Sequence, residues 1–120
     1  MRVEDHLKKA TRLEQTRTRK LDAETDYEMV IWSCIHGGAQ LLNVALHKLG
    51  VTEEQFDMIH TDLPELKKNL PPKASEVMSL LKAIEDLGPR YVRGNEPWRR
   101  DVVEQCIADY RKIKQLVEQA

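Results

Sequence analysis

Four arginines crowd the stretch LGPRYVRGNEPWRRD, residues 87–101, around a break made of Gly88, Pro89, Gly94 and Pro97. Guanidinium groups beside the free amides of a new helix are the ingredients of an anion site, because both direct positive charge at one point. On that reading Arg90, Tyr91, Arg93, Arg99 and Arg100 form a grip for a phosphate. The same stretch also fits a solvated joint, since Glu96 and Asp101 are near enough in sequence to pair with the arginines. Both readings stay open at this level.

Other chemistry fares worse. His36 and His47 are eleven residues apart in the sequence. On a helix that gives them nearly one azimuth but separates them by roughly 16 Å along the axis, so they cannot share an ion. No HExxH or ExxH pattern occurs, and no metal or other cofactor is expected. There is no GxSxG, and Cys34 and His36 point about 200° apart on a helix, too far round to act as a pair. Gly37-Gly38 lacks the preceding strand and the lysine of a phosphate loop.

A chain of 120 residues suits one domain, residues 1–120, with a single core. A net charge of −1 and a pI near 6.4 exclude a generally basic polyanion binder, so any nucleic-acid contact must be local. Aromatics at 5% argue against a base-stacking platform. Cys34 and Cys106 read as buried, reduced thiols of a cytoplasmic protein. The N-terminus mixes charges early and does not read as a signal peptide.

The elements that must position these residues read as helices throughout, and the expected fold is an all-α up-and-down bundle of four or five helices. Val3, Leu7, Ala10 and Leu21 share a stripe that Glu14 and Arg17 interrupt, which predicts a weakly amphipathic first helix on the outside. Thr25 to Glu28 fits a capping box opening a long helix that stops at Gly50. Thr52 to Gln55 repeats the capping pattern before a short helix to about His60, and Pro64 opens another short segment broken by Pro71-Pro72. Val77, Leu80, Leu81, Ile84 and Leu87 mark a helix ended by Gly88-Pro89. Pro97 is expected to open the last one, with Val102, Val103, Cys106, Ile107, Tyr110, Ile113, Leu116 and Val117 facing inward.

The long helix is unusual in shunning charge on both faces. From Met29 to His47 it carries no Asp, Glu, Lys or Arg. Its Ser33, His36, Gln40, Asn43 and His47 make a membrane span a poor reading. Tyr27, Ile31, Cys34, Ile35, Gly38, Leu42, Ala45, Leu46 and Leu49 form one apolar face. Met29, Trp32, His36, Gln40, Asn43 and His47 lie opposite, polar and uncharged. Such a helix is covered on both sides, by its own bundle or by a second subunit. The expected cover is a two-fold homodimer seam along the second face. Gly37-Gly38, costing about 1 kcal/mol per glycine against alanine, calls for close approach of another helix.

The order of these features resembles the HEPN family (higher eukaryotes and prokaryotes nucleotide-binding domain). The resemblance rests on DYEMVIWSCIHGGAQLLNVALHKLG with its VALHKLG end, on HTDLPEL with His60, Leu63 and Leu66, and on Arg90-Tyr91 in PRYVRG before the last helix. It covers roughly residues 25–117. It implies a helical bundle, commonly dimeric, that binds a nucleotide or cleaves RNA, and often a small nucleotidyltransferase as toxin–antitoxin partner. RNA-cleaving members carry an arginine followed after four to six residues by a histidine. Here no histidine follows Arg90 or Arg93, and Arg2 to His6 is one residue short. The expectation is therefore a noncatalytic module that binds a nucleotide or RNA phosphate, or a partner nucleotidyltransferase. The alternative is a protein–protein interaction module with no ligand of its own.

Overall fold

The computed structural model describes residues 1–53 and 70–120, and these form four helices and no strand. They are α1 (Val3–Lys20), α2 (Tyr27–Lys48), α3 (Pro72–Glu85) and α4 (Arg100–Glu118), with one π-helical turn, Gly88–Val92, between the last two. The all-α fold holds, as a four-helix bundle with α2 at its centre, touching α1, α3, α4 and the π turn. The second capping pattern, the short helix to His60, the Pro64 segment and HTDLPEL lie at least partly outside the described residues.

Burial explains the missing charge on α2. Its residues Leu41 to Leu46 are buried without interruption, so a charge anywhere there would need a buried partner. By length and composition α2 could cross a membrane, but 67% of its most apolar stretch is buried inside the bundle. The glycine pair has its packing reason within the chain. A Cβ on Gly37 would stand 3.0 Å from the Tyr110 ring of α4, and one on Gly38 would stand 2.8 Å from Leu81 of α3. Both neighbouring helices approach through these gaps.

The end of α2 is as expected. Gly50 takes φ +73°, the Val51 amide donates to the Leu46 carbonyl at 2.9 Å and the Gly50 amide to His47 at 3.2 Å. That is the paired closure that satisfies the last carbonyls of a helix. The start differs. No capping box forms at Thr25, and Asp26 precedes the helix without a side-chain cap. Instead the Asp22 carboxylate accepts from the amides of Glu24 and Thr25, at 2.8 and 3.0 Å. Those two bonds, Thr25 first, hold its carboxyl below the usual range. Asp22 thus orders the turn before α2, two and three residues ahead of the amides it serves.

The first helix also departs from the expectation. Leu7 is exposed, whereas His6, Ala10 and Arg17 are buried against the bundle. The helix is not an outer ornament; it presents its polar stripe inward. Its Glu14 carboxylate accepts from Lys114 of α4 at 2.9 and 3.0 Å. His6 donates from Nδ1 to the Gln40 side-chain oxygen at 2.6 Å.

Beyond the undescribed stretch, Pro72 occupies the first turn of α3, where a missing amide hydrogen costs nothing. Ala74, Val77, Met78, Leu81 and Ile84 bury its inner stripe. The helix stops at Glu85, and Pro89, unable to donate to a preceding carbonyl, falls in the π turn. There the Arg93 amide reaches back five residues to the Gly88 carbonyl, at 2.9 Å. The last helix begins at Arg100, three residues beyond Pro97, and buries most of the expected stripe, with Val102 and Ile107 half-buried.

Candidate functional site

The joint between α3 and α4 is a tied structure. A Cβ on Gly94 would meet the carbonyl oxygens of Pro89 and Arg90 at 2.6 and 2.7 Å, so only glycine lets the chain fold back there. The Trp98 indole donates to the Ala23 carbonyl at 3.0 Å, and the Tyr27 hydroxyl to the Glu96 carbonyl at 3.3 Å. Tyr27 also meets the edge of Tyr91, with centroids 6.4 Å apart and planes at 88°. These contacts fix the joint to the start of α2.

Its arginines are less available than their number promised. Arg90 donates to both oxygens of Glu96, at 3.4 and 3.2 Å, and that bond holds its guanidinium still more firmly protonated. Arg99 donates to both oxygens of Asp101, at 3.2 and 2.8 Å. Both pairs are exposed, so solvent screens them and each contributes little to stability. Arg100 stacks over Trp98 at 5.7 Å, and Arg93 is exposed with no ion pair among the described residues. Tyr91 is fully buried, its hydroxyl without a hydrogen-bond partner among the described residues. Five residues of the anion reading thus share one joint, with two cations neutralised locally and the tyrosine turned inward.

The second face of α2 divides in two. Met29, Trp32 and His36 are exposed, and the Trp32 and His36 rings lie 4.2 Å apart. Asn43 is buried, and Gln40 and His47 are half-buried and bonded within the chain. Gln40 takes the His6 bond, Asn43 donates to the Ala39 carbonyl at 3.1 Å, and His47 Nδ1 lies 2.9 Å from the Thr52 hydroxyl. His6 and His47 bring their rings to 5.3 Å, a pairing the sequence did not reveal. No group of three or more His, Cys, Asp or Glu side chains suited to a metal occurs among the described residues.

Sequence reasoning missed a third place. Arg17 lies with its guanidinium carbon 4.3 Å from the centre of the Tyr110 ring and is 7% exposed. Beside it the Cys34 and Cys106 thiols pair with one another, and that pairing together with burial pushes Cys106 up. Both cysteines are free and buried. The signal was present in the sequence as an arginine interrupting an apolar stripe, but periodicity alone equates charge with exposure.

No family model, no curated protein and no solved structure matches this chain.

Proposed function

We propose that this chain is a noncatalytic, HEPN-like binding module that works as a homodimer, joined through Met29, Trp32 and His36. The observation that carries the reading is the exposure of Met29 and Trp32, at 50% and 37%, on one uncharged strip of the central helix. At a two-fold axis the same strip of both copies faces itself, so a strip free of formal charge can pair without like-charge repulsion. The Trp32 and His36 rings, tilted 40° to one another, supply aromatic contact area at small cost in side-chain freedom. Gln40, Asn43 and His47, already engaged within the chain, would line the edge of such a seam. A partner nucleotidyltransferase would take the same strip, and that occupant is an outcome of the test.

Sedimentation of the pure protein at micromolar concentration should give twice 13.9 kDa, and Trp32→Glu should return it to a monomer. A wild-type monomer rejects the homodimer. A Trp32→Glu dimer moves the seam elsewhere.

A second reading, phosphate binding at the joint, is favoured by Arg93 and Arg100, which carry no ion pair among the described residues. Two such contacts, at about 1.5–3 kcal/mol each before ordering costs, support micromolar affinity at best, and weaker in salt. Titration of nucleotides and short RNA at low salt, with Arg93→Ala/Arg100→Ala alongside, decides it. Equal binding by both proteins, or none by the wild type, rejects this reading.

A further inference from the structure

The Arg17 site presents an electrostatic anomaly. A guanidinium stays protonated at any pH a folded protein survives, and burying one without a counter-charge is unfavourable. Arg17 is 7% exposed, and its Nη1 is sealed from water with no hydrogen-bond partner among the described residues. The nearest candidate counter-ion on its own helix, Glu14, is already bonded to Lys114. The Tyr110 ring beneath gives a cation–π contact, which offsets part of the lost hydration. No carboxylate pairs with Arg17 among the described residues.

Arg17 also lines a cleft of about 280 Å³ where α1, the connection to α2, and α4 meet. Its apolar walls come from Leu21, Val30 and Ile107, and a second cation, Arg111, stands in the lining. At ~30 Å³ for each water-sized atom this holds roughly nine heavy atoms. The cleft therefore combines a buried cation lacking a counter-charge, a cation in its lining and an oily wall.

We propose that this cleft binds a small monocarboxylate with an apolar body of roughly five to eight carbons. The carboxylate sits on the open edge of the Arg17 fork, whose planar geometry matches its two oxygens. Because guanidinium charge is delocalised, an anion on one edge also compensates the sealed Nη1. The body lies along Leu21, Val30 and Ile107, where burial adds affinity in proportion to area. A dianion fits less well, since Glu14 lies in the lining and Asp22, Glu24 and Glu104 line the adjoining hollow. This site is separate from the Met29–Trp32–His36 strip, and its fate does not depend on the dimer.

The test uses the full chain with hexanoate as the probe, hexanol as its uncharged counterpart, and inorganic phosphate as an anion without a body. Thermal unfolding and calorimetric titration are followed together. Hexanoate should raise the unfolding midpoint with increasing concentration and bind at least tenfold more tightly than either control. Arg17→Met retains a stem to pack on Tyr110, should fold with an equal or higher midpoint, and should bind hexanoate at least tenfold more weakly. Arg111→Glu, an exposed change on α4, should weaken hexanoate several-fold and keeps the proposal testable if Arg17→Met does not fold. No hexanoate binding by the wild type overturns the proposal. So does equal binding by hexanol or phosphate, or full binding by whichever of the two variants folds.

Discussion

The joint at Arg90–Arg100 and the buried site at Arg17 are two arginine environments with opposite electrostatics. The joint is rich in cations and has its own carboxylates, Glu96 on Arg90 and Asp101 on Arg99, in full solvent. The interior holds Arg17 at 7% exposure, and among the described residues no carboxylate pairs with it. Density of arginine along a sequence is thus a poor guide to where positive charge is left unanswered. What matters is whether a counter-charge arrives with the fold. Near the surface it costs little for one to be absent, whereas inside the bundle the absence is a standing penalty.

If the joint owes its shape to backbone contact and not to its ion pairs, Gly94→Ala should be the most damaging change in it. The added methyl meets two carbonyl oxygens, at 2.6 and 2.7 Å, that cannot swing aside as a side chain would. A loss of about 2–3 kcal/mol is expected in denaturant unfolding. A loss below about 0.5 kcal/mol would place the joint's rigidity elsewhere.

The buried site should reveal itself at high pH. Burial, and after it the charge of Glu14, pushes Tyr110 up to about 12 from 10.0. The folded chain therefore holds the phenolic proton more tightly than the unfolded chain. That contribution is complete below pH 10 and is lost as pH rises towards 12. Tyr110→Phe should flatten the fall in unfolding midpoint across this window and be nearly neutral at pH 7, because among the described residues no hydrogen bond of good geometry holds its hydroxyl. An identical alkaline profile in wild type and variant would count against the site's low-dielectric character.

The smallest effect belongs to the joint's ion pairs. Glu96→Gln should shift stability by no more than about 0.5 kcal/mol, measured by the same denaturant titration at low and moderate salt. A cost above about 1.5 kcal/mol would erase the contrast between the two regions.

Much of the fold was legible because apolar spacing reports burial directly. The stripes of α3 and α4 and the glycine stop at Gly50 follow from period and backbone geometry alone. Element starts were harder to read. Thr25 and Pro97 are good starting residues, yet Asp22 took the amides before α2, and the tethers at Glu96 and Trp98 flank Pro97 ahead of α4. The candidate joint was legible as a cluster but not as a set of neutralised pairs, since pairing depends on rotamers. Arg17 escaped because its stripe, Val3, His6, Ala10, Leu13 and Arg17, has helical spacing only when histidine and arginine are allowed to face inward.

The bond between Glu14 and Lys114 spans 100 residues of chain. At roughly 5–20 residues per second, a ribosome needs about 5–20 s to deliver the second partner after the first. Through that interval the inward polar stripe of α1 has neither the lysine nor the Tyr110 ring that shelters Arg17. α1 can pack on α2 before then, but the polar contacts that complete its inward stripe form only once α4 is present.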